Sequence, residues 1–351
     1  KASKEGVGTR RFFSDIMHRL FKIYPGFLTC ILAYMIFLPE LINRIPGSKE
    51  LKVDECEHDL VPMLFLVDNL APRPFGYCAS WTWYISVDFQ VYPFVIWVAY
   101  LYVKRNRFVG YLATILGIFL SILCGLRIIM FVDSTDRRLW SRFPPTRAFE
   151  ILIGAFFGIQ YYEYSKLKRK DNLNALCEKY TCIRYLCIIL GLYLNYYSNF
   201  TKYQETEWTL NQWGFAQRIL ISIGTGLFLV PLANDCISTL KQFMNKRVFQ
   251  VLGKLCFGLY LFHSHFFEII RHTTEPLKSY DIDFIMQEFF HVTVYTGIAS
   301  LVYYLILEKP LLNIEAHFTK HKRLAGKCAQ IADKTLVDAV SDGDTILPIS
   351  I

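Results

Sequence analysis

Eight long apolar runs govern what this chain can fold into: residues 26–43, 83–103, 108–132, 148–162, 183–197, 219–236, 255–270 and 284–307. A helix needs about 20 apolar residues to cross the roughly 30 Å core of a bilayer. The runs at 148–162 and 183–197 reach that length only with their flanking Tyr and Phe. Because the runs are continuous and do not alternate polar with apolar positions, a spanning β-barrel is disfavoured. Hydrophobic residues make up 53% of the 351 and charged residues only 19%, which is too apolar for an ordinary soluble domain. The sequence predicts an all-α, polytopic transmembrane helical bundle of about eight spans.

The net charge of +8 falls into short clusters between the runs: Lys1 to Lys22, Lys104 to Arg107, Lys166 to Lys170, Lys241 to Arg247 and Lys320 to Lys327. These clusters mark every second connection. The positive-inside bias then puts both termini in the cytosol and the alternate loops outside or in a lumen. A membrane-surface role accounts for the basic charge, and no nucleic-acid partner is expected. The first residue is Lys, and a basic polar segment leads directly into a span, so the chain reads as a piece of a longer protein. From Lys322 onward the hydrophobic density is lost, which reads as a cytosolic tail too polar to order itself.

The opposite loops agree with this topology. Residues 44–80 hold Asp54, Glu55, Glu57 and Asp59, and Asn199-Phe200-Thr201 is a glycosylation sequon close to the expected membrane edge. Of the ten Cys, only Cys56 and Cys78 lie in an expected extracytosolic loop, so they are the natural disulfide pair in an oxidising compartment. Closing that loop contributes about 3 kcal/mol by the chain-entropy estimate. No His, Cys or Glu set has metal-ligand spacing, and no glycine-rich phosphate loop or nucleophile elbow occurs.

An ionisable side chain inside a span costs about 2.5 kcal/mol or more, so each needs a partner, a cavity or a substrate path. The candidates are Asp88, Arg127, Glu150, His263, His265, Glu268, Glu288, His291 and Glu308. Glu268, Glu288 and Glu308 sit near span ends, where headgroup water is an equal explanation. Asp88 lies a turn inside Trp81 and Trp83, with Tyr84 on its own helical face, and a buried ion pair or functional role is expected there. The Trp pair also fits an interfacial aromatic belt. Arg137, Arg138, Arg142 and Arg147 run against the positive-inside trend, which suggests an anionic ligand or a compensating carboxylate such as Asp133 or Asp136. Gly154 and Gly158 form a small-xxx-small face expected to let helices approach closely. His263 is expected to be the most deeply placed histidine.

Four pieces in this order resemble the acyltransferase type 3 family of membrane enzymes, within it the animal nose-resistant-to-fluoxetine branch. Arg19-x-x-Lys22-x-x-Pro25 is similar to its basic-x-x-basic-x-x-Pro segment, with Lys22 where a second Arg is usual. Trp81 to Gln90 resembles a Trp-Ser/Thr-x-x-x-Ser-x-acid stretch, with Asp88 in place of the Glu of bacterial relatives. Arg147 to Gly158 resembles an Arg-x-x-x-x-x-x-Gly-x-x-x-Gly helix, with Glu150 where the animal branch often has Pro. Tyr260-x-x-His263 and Glu308-Lys309-Pro310 look like the late span and its closing Glu-x-Pro.

The resemblance covers residues 10–318. It implies a membrane domain over 1–320 that lacks the family's first two spans and the histidine usually taken as its catalytic base, followed by a tail at 321–351. The implied reaction moves an acyl group from acyl-CoA, as co-substrate with no tightly bound cofactor, to a hydroxyl of a lipid, sugar or other acceptor. The implied roles are anion contact for Arg19 and Arg147, with Lys22, Trp83 and Glu308 also meeting substrate, and catalysis by Asp88 and His263. Asp88 would orient a His or an Arg, and His263 would stand near the acceptor path. Membrane lipids are the expected surroundings, in the plasma membrane or an endomembrane. A transporter or lipid- and drug-uptake protein of the same fold is the alternative, and a bundle without activity a third.

Overall fold

A computed structural model describes residues 2–46, 54–70, 78–79, 81–131, 142–170, 181–200, 207–233, 242–273, 282–315 and 317. These residues are helical, with no strand among them. Helix α1 (Ala2–Leu32) runs through a π turn (Ala33–Phe37) into α2 (Leu38–Asn43), followed by α3 (Asp54–Leu64) and a 3-10 turn (Asp68–Leu70). Next come α4 (Trp83–Tyr100), which ends in a π turn (Leu101–Arg105), then α5 (Arg107–Phe131) and α6 (Pro144–Lys170). The rest are α7 (Thr181–Phe200), α8 (Glu207–Ala233), α9 (Arg247–Thr273) and α10 (Ile282–Tyr303), the last extended by a π turn (Tyr304–Glu308).

Among the described residues five segments are long and apolar enough to cross a membrane unaided: Phe12–Asn43, Trp83–Arg105, Arg107–Phe131, Gly214–Ala233 and Ile282–Glu315. The runs at 148–162, 183–197 and 255–270 do form helices, but these helices fall short on composition or length. α6 carries Arg147, Glu150 and Glu163, α9 carries His263, His265 and Glu268, and the apolar part of α7 is confined to Tyr185–Ser198.

Packing divides on either side of α4. One cluster joins α1, α3, α9 and α10 around Phe27, Ile31, Met63, Leu261 and Tyr303, and the other joins α5, α6 and α8 around Phe149, Ile153 and Phe215. Between helices in lipid the gain comes mainly from dispersion and close fit, because lipid tails are as apolar as Leu. Close fit is visible where Gly191 of α7 lies against the backbone of Gly224 of α8; a Cβ on Gly191 would stand 2.6 Å from the Gly224 carbonyl oxygen. The close approach expected at Gly154 and Gly158 occurs here instead, since a Cβ at either of those positions would meet none of the described residues within 4 Å.

The 44–80 segment is more than an outer loop. Its second part turns back into the bundle: Met63 and Leu66 belong to the core cluster around α1, and Tyr24 of α1 donates to the Leu64 carbonyl at 3.2 Å. The turn that reverses it uses Leu66 at φ 55°, a left-handed conformation that is a genuine outlier for a bulky residue. Asn69 then exchanges amide hydrogen bonds with Gln90, two turns into α4, at 2.9 and 3.2 Å. At the mouth of this hairpin Cys56 and Cys78 form a disulfide with Cα atoms 4.7 Å apart, as their placement in the sequence predicts.

Candidate functional site

α4 is the spine of the site because its first two turns face α1, the hairpin, α6 and α9. Arg19 of α1 donates from Nη2 to Asp88 Oδ2 at 2.6 Å, and its guanidinium lies 5.0 Å from the Tyr92 ring centroid, one turn further along α4. The salt bridge fixes the charge and the ring fixes the plane of the fork. The ionisable residue placed one turn inside the Trp pair thus has its compensating charge, contributed by the basic-x-x-basic segment.

The second member of that segment, Lys22, is exposed and acts at longer range on Glu308, which is buried at the end of the α10 π turn. Among the described residues Glu308 Oε2 has no hydrogen-bond partner. His18 meets Glu315 at 2.9 Å further along the same pair of helices. Arg19 and Lys22 therefore turn toward carboxylates on two different helices, so α1 is held electrostatically between α4 and α10.

A second ion pair stands across α4. The start of α6 is tied to α5 through Ser121, whose hydroxyl donates to the Pro145 carbonyl and accepts from the Phe149 N–H at 2.8 Å. That anchor aims Arg147 at Trp83, 4.8 Å from guanidinium to ring centroid, while Arg147 Nη1 donates to Glu150 at 3.0 Å. Arg142 lies 5.7 Å from the same indole. Trp83 is thus a platform for two guanidinium groups, more specific than a belt residue. Of the carboxylates expected near Arg147, Asp133 and Asp136 lie outside the described residues, as do Arg137 and Arg138; Glu150, one turn on, is its partner. Tyr84 lies within electrostatic reach of both ion pairs.

α9 closes the remaining side. The Tyr260 hydroxyl donates to the Trp81 carbonyl at 2.6 Å, Trp81 Nε1 donates to the Leu261 carbonyl at 3.1 Å, and the Tyr84 and Tyr260 rings are 6.4 Å apart. The deep histidine here is His265, not His263. His265 is buried among Tyr34, Trp81 and Phe262, with Nε2 3.1 Å from the Cys30 carbonyl. His263, two positions earlier, projects from a different face and is exposed. Its Nδ1 is 2.7 Å from the Tyr260 carbonyl and its Nε2 3.0 Å from Ser264 Oγ. With Nδ1 donating to the carbonyl, Nε2 is left to accept from the serine.

Sequence reasoning missed the polar residues that the hairpin adds. Ser86 donates to Asp68, and Gln90 donates to the Leu66 carbonyl at 2.6 Å in addition to its exchange with Asn69. Burial raises the Asp68 carboxyl above its ordinary range, partly offset by its hydrogen bonds and by Arg142. One signal could have found them. Leu60 to Val67 is an unbroken apolar octet inside a supposed outer loop, the kind of short run that marks a re-entrant segment. Asn199 lies in the last turn of α7, and its side chain is outside those described.

Among the described residues no group of three His, Cys, Asp or Glu side chains could hold a metal ion. A family described as an acyltransferase domain matches the chain over residues 5–308. No curated protein and no solved structure matches it.

Proposed function

The chain belongs to the acyltransferase domain family, and from that premise we propose that it is an integral membrane enzyme that transfers an acyl group from acyl-CoA to a hydroxyl of a lipid, sugar or other acceptor. In this reading all eight apolar runs cross the membrane, both termini are cytosolic, and residues 1–320 form one domain of the animal nose-resistant-to-fluoxetine branch. Asn199 is then a glycosylation site at the outer edge.

The observation that carries the reading is the pairing of Arg19 with Asp88 at 2.6 Å, beside Tyr84 and across α4 from Arg147 and Glu150. Acyl transfer forms a C–O bond to the acceptor, breaks the thioester C–S bond and moves the hydroxyl proton to the departing thiolate. It needs a base, charge complementarity for the oxyanion and exclusion of water from the thioester. Asp88 orients Arg19, whose remaining N–H donors complement the developing negative charge. Arg147, held on Trp83, gives a second cationic contact to the donor. His263, with Nε2 as its acceptor nitrogen, takes the hydroxyl proton. Lys22 and Glu308 set the position of α1 and with it the placement of Arg19.

The test is acyl transfer by the full-length protein in nanodiscs, read as labelled ester and as released CoA thiol. Asp88→Asn keeps the shape and removes the charge, and is expected to lower kcat/KM by tenfold or more, the scale of one charge-assisted hydrogen bond. A folded, full-length protein that neither binds nor consumes any acyl-CoA in a panel of chain lengths would overturn the enzyme and leave the transport alternative.

A further inference from the structure

The π turn that ends α4 rotates Tyr102 into the bundle, where it is buried and its hydroxyl donates to Glu163 of α6. The chain then reverses through the single extended residue Asn106, whose Oδ1 accepts from the Phe108 N–H at 2.9 Å, and α5 begins at Arg107. Between this reversal and the far end of α6 lies a cavity of about 180 Å³ lined by Tyr102, Arg105, Asn106, Arg107, Tyr162 and Glu163. Glu163 is already engaged by the Tyr102 hydroxyl and by Arg107 at 3.1 Å. Arg105 makes no ion pair among the described residues, and Lys104 precedes it. The cavity therefore keeps a net positive charge beside two tyrosine rings 6.3 Å apart.

This cavity and the ion-pair site lie at opposite ends of the same two helices. From Asp88 to Tyr102 on α4 is fourteen positions and from Glu150 to Glu163 on α6 is thirteen, each about 20 Å at roughly 1.5 Å per residue. Between them α6 presents Glu150, Gly154, Gly158 and Tyr162 at four-residue spacing, on one face. Among the described residues neither glycine has a neighbour within 4 Å of the position its Cβ would take, so none of them covers that face at the two glycines. The basic clusters at 104–107 and 166–170 come to the same end of the bundle, the end that the charge bias puts in the cytosol.

We propose that the cavity between Arg105, Arg107 and Tyr162 binds the phosphorylated nucleotide end of the acyl donor, whose pantetheine arm follows the Gly154–Gly158 face up α6 to place the thioester beside Arg147 and Asp88. This rests on the acyltransferase reading above and gives the donor a direction of approach. Arg105 supplies the free charge for a phosphate, and the exposed Tyr162 ring supplies a face against which a purine stacks. Asn106 offers an amide to the base edge.

The test separates the cavity from the reaction. Adenosine 3′,5′-bisphosphate, the nucleotide part of CoA without its arm, is titrated calorimetrically into the full-length protein and into Arg105→Gln and Tyr162→Leu. Both variants are expected to weaken binding by roughly tenfold. In transfer assays Arg105→Gln is expected to raise KM for acyl-CoA to a similar extent with kcat retained, and to leave KM for acyl-pantetheine, which lacks the nucleotide, unchanged. Unchanged nucleotide binding in both variants, or an equal rise in KM for both donors, overturns the proposal. Displacement of the nucleotide by phosphatidylserine with the same dependence on Arg105 also overturns it, because the cavity then serves a lipid headgroup. If the wild type binds the nucleotide through Arg105 but transfers from neither donor, the cavity stands and the acyltransferase reading fails.

Discussion

Arg19 and Asp88 are 69 positions apart in the chain, and their side chains meet at 2.6 Å between α1 and α4. Both are partly open, with side-chain exposures of 34% and 21%, so much of the Coulomb energy is screened and the pair acts chiefly on orientation. A double-mutant cycle with Arg19→Ala and Asp88→Ala should give a positive coupling within about 0.5–3 kcal/mol. The readout is denaturation of the detergent-solubilised protein. Additive losses would show that the two residues act separately.

Trp83 holds two guanidinium groups against one indole. Replacing it with Leu keeps the apolar bulk and removes the π face, worth about 0.5–2 kcal/mol per contact. The expected outcome in the acylation assay is a several-fold rise in donor KM, with a loss of stability of about 1–4 kcal/mol for the two contacts together. Trp83→Phe, which keeps a weaker ring face, should fall between the two.

Asp68 gives a pH dependence whose sign is fixed by its environment. Its carboxyl is raised above the ordinary 3.8 by burial, so the unfolded chain gives up that proton first as pH rises. Stability from this group is full below 3.8 and is lost as pH climbs through the raised value. Melting temperatures of the wild type should therefore rise on acidification toward pH 3.8, net of other groups, and Asp68→Asn should flatten that part of the profile. A wild-type profile that Asp68→Asn leaves unchanged would contradict it.

The glycines make opposite predictions in two places. Gly154→Ala and Gly158→Ala should fold normally, because each added methyl meets open space. Gly191→Ala and Gly224→Ala should destabilise the α7–α8 contact by about 1–3 kcal/mol, the range for overpacking, since an added Cβ would stand under 3 Å from the facing helix. Thermal melting with unchanged expression as the control distinguishes the pairs.

Much of this architecture was legible in the sequence because bilayer thickness and the cost of buried charge are strong constraints. They marked Asp88, Arg147 and the Cys56–Cys78 pair without coordinates. Partners were less legible. Glu150 stood out as a charge inside a span and Arg19 came with the family pattern, but no spacing rule joins Arg19 to Asp88 across 69 residues. His263 and His265 show a limit of another kind: residues two apart on a helix face different ways, and only packing against Tyr34 and Trp81 decides which is buried. The hairpin that carries Asp68 and Asn69 was obscured by the four acidic residues at its start, which read as solvent loop.

The winding of α10 changes just where its last buried carboxylate sits. Its inward residues, Thr296, Ser300 and Tyr303, follow ordinary helical spacing, and ordinary spacing would next bring Leu307 to the inner side. The π turn over Tyr304–Glu308 inserts one extra residue into the cycle, so Glu308 takes the buried place instead. The address of that charge is thus written in backbone phase, independently of side-chain chemistry. Deleting any one residue from 304–307 would restore regular winding and leave the carboxylate four positions after Tyr303, still on the inner side, whereas regular winding with no deletion would turn it by about 100° away from Lys22, with every letter of the Glu-Lys-Pro ending intact.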